Sequence, residues 1–533
     1  MNNHRLVSAG LVVLLAMAAG CGTRKPVAHG PAPSAHTSTT ASAAPGSGPA
    51  VGGSQPPPVV RAAGPAPQTP PQPTWPGLLR AAAAAPAAAQ VAVRPSGGPV
   101  PLPMSTSRAT PGSCRLAAGA PAPAATPPTP TSSVFAAGNG RWVVAAGGEL
   151  EVGSEASLVR RLPSPGGTLT GISPDGLWAV LTDNSPSHGP AAGVFLVPLI
   201  SGRPVWLPQV TDAAWSPSGN RLLVIGGNNC AFVFNPAAGR TAAAVANPAP
   251  SAGPYFTWWL AKGWYGADPV VGDRLATHDS AYLLWKPAAG TLTALGDFDT
   301  AATVDPAWGI LAAFPGPCAE RIDPTTGRES PLPCVGRKRD DYFSAAPVFS
   351  SSLPWYTVPY LPGLPPGPAT TAQMQAINQV WLEPADGTRG WVFQRTALPR
   401  WSPGGRRLAL ATLAAGGIDL SVVACTPTEC AAPQHVGGMP TVGATVEALD
   451  WSPDGRTLVT VVNAGSSGAG GVWSLPAAGG APRDVLTLPP SASAHLFRLS
   501  AGLLVSWRTG AAPVRAAFLP DGGGPPEIIP LNA

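Results

Sequence analysis

The side chains best suited to chemistry are three carboxylates and an imidazole within one short stretch, namely Asp268, Asp273, His278 and Asp279. Carboxylate and imidazole groups act as general acids and bases, and both ligate metal ions. Aspartate is also common in loops because its side chain stabilises turn backbone. The stretch therefore indicates either structural turns, which is the favoured interpretation, or a polar or metal site. The same applies to a second acidic group, Asp297, Asp299 and Asp305.

No local catalytic motif accompanies these residues. The sequence contains no G-x-S-x-G, P-loop, H-E-x-x-H or EF-hand loop. The four histidines of the C-terminal two thirds lie far apart, at His188, His278, His435 and His495. We therefore predict a protein that is not an enzyme, with no catalytic residues, no metal and no cofactor. The alternative is an extracellular enzyme acting on glycans or peptides, whose site converges from distant segments.

One short phrase recurs four times and predicts the elements that position these side chains. Each copy contains Ser-Pro, then Asp, Ser or Gly, then Gly, at residues 173–176, 215–219, 401–405 and 451–455. Proline presets φ for a tight turn and glycine closes it. A short apolar run follows each copy, as expected for a strand buried between stacked sheets. The pattern predicts an all-β fold, a β-propeller.

The spacing of the repeats predicts the number of blades. Intact and degenerate copies start near 138, 172, 215, 257, 302, 345, 400, 450 and 497, a spacing typical of propeller repeats. We expect a single propeller of about eight four-stranded blades over residues 133–533, with seven or nine left open. The weak first unit could instead supply a closing strand to the last blade.

The turn phrase and the strand after it resemble the WD40-like repeat of TolB-like propellers. The resemblance covers roughly residues 133–532, and four units match well. It implies an interaction module of the cell envelope rather than an enzyme. The family pairs its propeller with a folded N-terminal domain, whereas this chain has a Pro- and Ala-rich segment there.

The N-terminus resembles a bacterial lipoprotein signal peptide. Two basic-type residues precede an apolar run that ends in Ala-Ala-Gly-Cys at Cys21. We expect a signal peptide at 1–20 and lipid attachment at Cys21, or simple secretion, because Ala16 and Ala18 also fit the A-x-A rule. Residues 21–132 are predicted to be a disordered linker. The exception is a short transient helix near residues 76–90, which could alternatively dock a partner.

Composition and cysteines agree with an exported chain. Charged residues make up 11% and the net charge is +5 with scattered cations, which argues against nucleic-acid binding. The densest run of charged residues, 337–341, contains both basic and acidic side chains and is expected to be a solvated loop. Removing Cys21 from the seven cysteines leaves six, for which disulfides are expected rather than a metal site. We predict the pairs Cys425–Cys430 and Cys318–Cys334, and by elimination Cys114–Cys230.

The aromatic residues divide into three groups. The repeat tryptophans Trp215, Trp401 and Trp451 are expected to pack between blades. The dense segment 258–265 is expected to be core, with a ligand-stacking platform as the alternative. Segment 354–380 breaks the repeat and is predicted to be an exposed insertion with a helix near 370–379. Its aromatics form the predicted binding surface, with a decorated blade edge as the alternative: Trp355, Tyr356 and Tyr360.

Together these features predict an extracytoplasmic propeller anchored to the cell membrane by lipid on Cys21. Its expected activity is recognition of an envelope protein, a peptide or a glycan, and no nucleic acid. Ligand sensing for a neighbouring membrane protein is a further alternative.

Overall fold

The computed structural model describes most of the C-terminal four fifths of the chain. The described residues are 75–94, 100–101, 106–116, 134–137, 139–146, 148–183, 193–226, 229–247, 258–274, 280–298, 303–305, 309–313, 319–326, 328–331, 334–335, 342–343, 347–361, 370–384, 389–414, 417–439, 441, 444–463 and 470–531. The elements before residue 117 are α1 (Trp75–Ala84), β1 (Ala88–Arg94), β2 (Val100–Pro101) and β3 (Thr106–Arg108).

The remaining strands form nine successive units, called blades 1 to 9. Blade 1 holds β4 (Phe135–Ala136), β5 (Arg141–Ala146), β6 (Glu149–Ser154) and β7 (Ser157–Pro163). Blade 2 holds β8 (Thr168–Ile172), β9 (Trp178–Asp183), β10 (Gly193–Pro198) and β11 (Val205–Pro208). Blade 3 holds β12 (Val210–Trp215), β13 (Leu222–Gly226), β14 (Cys230–Asn235) and β15 (Arg240–Ala246).

The middle blades follow the same order. Blade 4 holds β16 (Trp258–Tyr265), β17 (Asp268–Arg274), β18 (Ser280–Lys286) and β19 (Thr291–Phe298). Blade 5 holds β20 (Thr303–Asp305), β21 (Gly309–Ala313), β22 (Ala319–Asp323) and β23 (Arg328–Pro331), and β24 (Cys334–Val335) follows it. Blade 6 holds β25 (Tyr342–Phe343), β26 (Val348–Phe349), β27 (Trp355–Leu361), α2 (Thr371–Ile377), β28 (Gln379–Pro384) and β29 (Arg389–Gln394).

The last three blades each have four strands. Blade 7 holds β30 (Thr396–Trp401), β31 (Arg407–Ala414), β32 (Gly417–Ala424) and β33 (Gln434–Met439). Blade 8 holds β34 (Thr445–Trp451), β35 (Thr457–Asn463), β36 (Gly470–Pro476) and β37 (Arg483–Leu488). Blade 9 holds β38 (Ala492–Arg498), β39 (Gly502–Thr509), β40 (Arg515–Pro520) and β41 (Glu527–Ile529).

The first strands of most neighbouring blades contact one another, as the inner strands of a propeller do. Contacts join β12 to β16, β16 to β20, β30 to β34, β34 to β38, β38 to β4 and β4 to β8. Blades 9 and 1 share one apolar cluster, in which Val134 and Trp142 pack with Leu504 and Phe518. The ring therefore closes between the last blade and the first, and the predicted all-β propeller is confirmed. The nine blades of the described residues lie at the upper end of the expected range.

Blade 1 is a complete sheet rather than a strand donated to the last blade. Its strands β4 to β7 pair only with one another, and blade 9 supplies its own outer strand β41. Closure thus depends on side-chain packing between two complete sheets, not on an exchanged strand.

The repeated phrases form the predicted turns between the first and second strands of their blades. In blade 8 the Gly455 amide donates to the Ser452 carbonyl at 2.8 Å, and the Ser452 amide donates to the Thr457 carbonyl at 2.8 Å. Gly455 has φ +69°, a conformation that an L side chain rarely adopts. The Thr457 amide donates to Ser452 Oγ at 2.9 Å, which explains why serine begins the phrase.

The N-terminal segment follows the outside of the propeller instead of being disordered throughout 21–132. Strand β1 pairs with β29, β2 with β23 and β3 with β19, so one strand is added to each of blades 6, 5 and 4. A disulfide from Cys114 to Cys230 then attaches the segment to blade 3. We call residues 88–116 the strap. The strap is ordered because its backbone pairs with the N–H and C=O groups at the outer edges of these blades. The amino-acid composition of the strap does not indicate this pairing.

Two short helices pack together beside blade 6. Helix α2 confirms the helix predicted near 370–379, and it begins with a capping box in which Thr370 and Gln373 bond reciprocally. Ala82 of α1 lies in one apolar cluster with Ile377 of α2. The predicted transient helix is therefore docked on its own chain. Neither of these two helices, within the described ranges, is long and apolar enough to cross a membrane.

Candidate functional site

The predicted aromatic binding surface is wrong, because Trp355, Tyr356 and Tyr360 are buried. Their exposed fractions are 1%, 0% and 1%. They lie on β27, which pairs on one side with the two short strands β25 and β26 and so occupies the second position in the sheet of blade 6; its seven residues are all buried. A second strand is covered on both faces by neighbouring blades, so its aromatics enter the core. Trp355 Nε1 also donates to the Thr426 carbonyl of blade 7 at 2.7 Å.

Of the acidic stretch, the structure describes the side chain of Asp268 and only the backbone of Asp273. Asp268 and Asp273 lie at opposite ends of β17, about 17 Å apart at the usual rise of a strand. Burial raises the pKa of Asp268, and the nearby Lys286 opposes that shift. His278 and Asp279 lie outside the described residues. In the second group, Asp297 is on β19 and Asp305 on β20, and Asp299 lies outside the described residues.

The tryptophans at the ends of inner strands connect neighbouring blades. Trp451 Nε1 donates to the Arg400 carbonyl at 2.9 Å, and Trp401 Nε1 donates to the Val348 carbonyl at 3.1 Å. Trp264 does the same to the Ala214 carbonyl at 3.0 Å. The prediction of inter-blade packing is thus confirmed for Trp401 and Trp451. Trp215 also packs between blades, but its buried Nε1 has no acceptor.

The segment 258–265 is inner strand β16, and its described side chains belong to the core. Trp259 and Trp264 are 1% and 3% exposed. The core interpretation is therefore confirmed for these two residues, while the Trp258 side chain lies outside the described residues.

Two partly buried carboxylates that sequence analysis missed join inner strands to one another. Asp212 Oδ2 accepts from the Ala261 amide of blade 4 at 2.9 Å, and Glu447 Oε2 accepts from the Ala494 amide of blade 9 at 2.8 Å. Burial raises the pKa of both carboxyls, and these hydrogen bonds oppose it. Each residue lies at a β-bulge three or four residues before the repeat tryptophan. An acidic residue three or four positions before the repeat tryptophan was the available sequence signal.

A charged cluster joins the inner strands of blades 7, 8 and 9. Asp450 forms an ion pair with Arg498, and Arg498 Nε donates to the Trp451 carbonyl at 3.2 Å. Burial lowers the pKa of Arg400, and Asp450 opposes that shift. The Asp450 carboxylate thus interacts with the guanidinium groups of Arg400 and Arg498, and the cluster joins three blades.

Two of the three predicted disulfides are present, Cys114–Cys230 and Cys425–Cys430, with Cα separations of 5.9 Å and 4.0 Å. Cys21, Cys318 and the Cys334 side chain lie outside the described residues, so lipidation and the third pair remain predictions. The run 337–341 lies outside them as well.

The described part of the chain assembles no metal-binding cluster. Its residues contain no cluster of three His, Cys, Asp or Glu side chains that could hold a metal ion. A shallow open cleft of about 600 Å³ is lined by the strap residues 106–109 and by the turn 287–291, which are joined by hydrogen bonds. The residues that line it include no carboxylate, imidazole or thiol.

Comparisons with solved structures return β-propeller proteins of low sequence identity. No family model matches the sequence, and no curated protein matches it. Dipeptidyl peptidase 4 of Porphyromonas gingivalis is 10% identical with a TM-score of 0.40, covering 74% of this chain and 59% of that one. The propeller domain of the Pyrococcus furiosus trilobed protease is 9% identical with a TM-score of 0.30, covering 66% and 98%.

A TolB protein of Agrobacterium tumefaciens is 13% identical with a TM-score of 0.27, covering 45% of this chain and 83% of that one. Scores and identities this low carry no argument about activity. The class of the protein, a β-propeller, therefore follows from its sheet topology.

Proposed function

We propose that this chain is an exported propeller scaffold, held at the cell membrane by lipid on Cys21, that binds a macromolecule of the cell envelope. The observation that carries the proposal is the Cys114–Cys230 disulfide. Disulfides persist in oxidising compartments outside the cytoplasm. The bond agrees with the signal-peptide pattern before Cys21 and fastens the segment that follows it to blade 3.

A rigid surface is what a recognition scaffold requires, and hydrogen bonds between successive turns support rigidity. Arg141 of blade 1 donates to the Gly176 carbonyl of blade 2 at 3.1 Å. Ser350 Oγ of blade 6 donates to the Gly405 carbonyl of blade 7 at 2.6 Å, and Arg407 of blade 7 donates to the Gly455 carbonyl of blade 8. A preorganised face loses little conformational entropy when it binds.

Fatty-acid labelling tests the anchor. We expect cells expressing the wild-type chain to incorporate labelled fatty acid into it, and the Cys21→Ser variant to incorporate none. The variant should also leave the membrane fraction. Equal labelling of both chains would contradict the anchor.

Crosslinking in intact cells tests recognition. We expect capture of the wild-type chain to yield one envelope protein in near-stoichiometric amount. Capture of no partner, combined with binding of a glycan or peptide in a screen, would replace a protein partner with a small ligand. Turnover of that ligand would contradict the scaffold proposal and favour an enzyme.

A further inference from the structure

Exposed aliphatic side chains concentrate at the border of blades 1 and 2. Among the described residues, four large apolar side chains are exposed, and three of them meet there: Val159 at 61%, Leu177 at 38% and Ile200 at 45%. The fourth, Ile528, is 61% exposed and belongs to blade 9. Three exposed aliphatic side chains at one border form a patch rather than scattered surface residues.

Hydrogen bonds bring these three positions together. Leu177 ends the turn between β8 and β9, and its carbonyl accepts from the Leu199 amide at 2.8 Å. Ile200 therefore lies beside Leu177. Arg160, next to Val159 on outer strand β7, donates to the Ile200 carbonyl. We call Val159, Arg160, Leu177, Ile200 and Arg203 the border patch.

The border patch carries excess positive charge. Arg160 and Arg203 are exposed, and the whole loop 200–204 is exposed. Arg161 beside them is paired with the buried Glu151 at 2.8 Å. Asp175, in the turn before Leu177, accepts from Ser173 Oγ and from the Leu177 amide at 3.0 Å and counts as a second acidic group, so three arginines face two carboxyl groups. Two arginines thus flank the aliphatic side chains.

We propose that the border patch binds the surface of an anionic lipid bilayer. The exposed aliphatic side chains would enter the headgroup region, while the arginine side chains would contact lipid phosphates. Each cation near an anionic leaflet adds favourable electrostatic energy. The proposal rests on the proposed function, which places the chain at a membrane through Cys21.

A bilayer fits the border patch better than an acidic protein does. Stable protein interfaces bury about 1,600 Å² and are enriched in aromatic residues, whereas this patch has three aliphatic side chains. A weak contact suffices for a tethered protein, because the anchor raises its effective concentration at the bilayer. A lipid on Cys21 by itself would not set the orientation of the propeller at the bilayer, and the border patch would fix that orientation.

Vesicle flotation tests the border patch without the lipid anchor. The probe is the chain from Gly22 onward, mixed with vesicles of phosphatidylcholine alone or containing 30% phosphatidylglycerol. We expect binding only to the anionic vesicles, and at least a tenfold loss for Arg160→Gln with Arg203→Gln. Val159→Ser with Ile200→Ser should cause a similar loss. The matched controls, Arg483→Gln with Arg515→Gln and Ile528→Ser, should bind as the wild type does.

Three outcomes would overturn the proposal: no binding of the wild-type chain, equal losses in the controls, or binding to neutral vesicles that resists 0.5 M salt. Crosslinking of Arg203 to an acidic protein in cells, without vesicle binding, would assign the patch to that partner instead. Fatty-acid labelling of the full chain tests the anchor independently. Absence of vesicle binding would therefore not argue against lipid attachment at Cys21. Circular dichroism of each variant confirms that it is folded.

Discussion

A repeat tryptophan whose indole N–H has an acceptor stabilises the protein both by its burial and by a hydrogen bond between blades. These two contributions can be measured separately. Trp451 is fully buried and its Nε1 donates to the Arg400 carbonyl at 2.9 Å. Trp259 is buried to the same degree, but its Nε1 has no acceptor. The two residues are therefore a matched pair.

We expect Trp451→Phe to destabilise the protein by about 1–2 kcal/mol more than Trp259→Phe does. Both changes remove similar apolar volume, but only the first leaves a buried carbonyl without its donor. Urea unfolding of both variants measures the difference. Equal losses would mean that the indole hydrogen bond contributes nothing net.

His495 should make stability depend on pH. Burial lowers its pKa from the ordinary value of 6.5. The unfolded chain therefore binds a proton more readily than the folded one, so stability falls as pH drops through about 6.5. Glu447 has the opposite effect. Its pKa is raised in the folded chain, so its ionisation destabilises the fold and stability falls as pH rises.

The expected measurement is the unfolding free energy from pH 5 to pH 8. The wild type should lose up to about 1.4 kcal/mol per pH unit below 6.5 relative to His495→Gln. His435→Gln, at an exposed position of β33, is the control for losing a histidine. A wild-type curve parallel to that of His495→Gln would contradict the prediction.

At the scale of elements, the strap determines how the outer edges of three blades are completed. Outer strands present unpaired N–H and C=O groups that invite edge-to-edge association. Strands β1, β2 and β3 cover those groups in blades 6, 5 and 4. The strap therefore runs against the chain order of the blades and ends at the disulfide on blade 3.

The two observed disulfides should differ in their contribution to stability. Cys114–Cys230 closes 116 residues and Cys425–Cys430 closes 5. A chain-entropy model gives about 5 kcal/mol for the long loop and about 2 kcal/mol for the short one. Replacing the first pair by alanine should lower the melting temperature more than replacing the second. Proteolysis within the strap should rise only in the first variant.

At the scale of the whole molecule, the closing contact between blades 9 and 1 should couple the two ends of the propeller. Leu504 is fully buried in the cluster that also contains Val134 and Trp142. We expect Leu504→Ala to cost about 2–5 kcal/mol and to increase hydrogen exchange in both blades. Leu223→Ala, in the cluster of blades 3 and 4, should increase exchange there instead. Exchange confined to blade 9 would contradict closure.

Local signals predicted the local structure well. The turn phrases, the strands after them and α2 depend on φ preferences, capping and apolar runs, all of which act within a few residues. The pair Cys425–Cys430 lies in one short connection and was predictable for the same reason. The weak repeat in blade 1 was harder to interpret, because β4 has only two residues.

The sequence by itself determined the architecture of this protein, because the strands of each blade follow one another in sequence and its turns are formed by neighbouring residues. The tertiary structure alone decided which side chains are exposed and which carboxylates join inner strands. Trp355, Tyr356 and Tyr360 looked like a surface, yet β27 is covered by the blades on either side. Composition also did not predict the strap, because its strands pair with outer strands more than 180 residues away in the sequence. Burial and edge pairing depend on neighbours in space, and a single sequence does not list them.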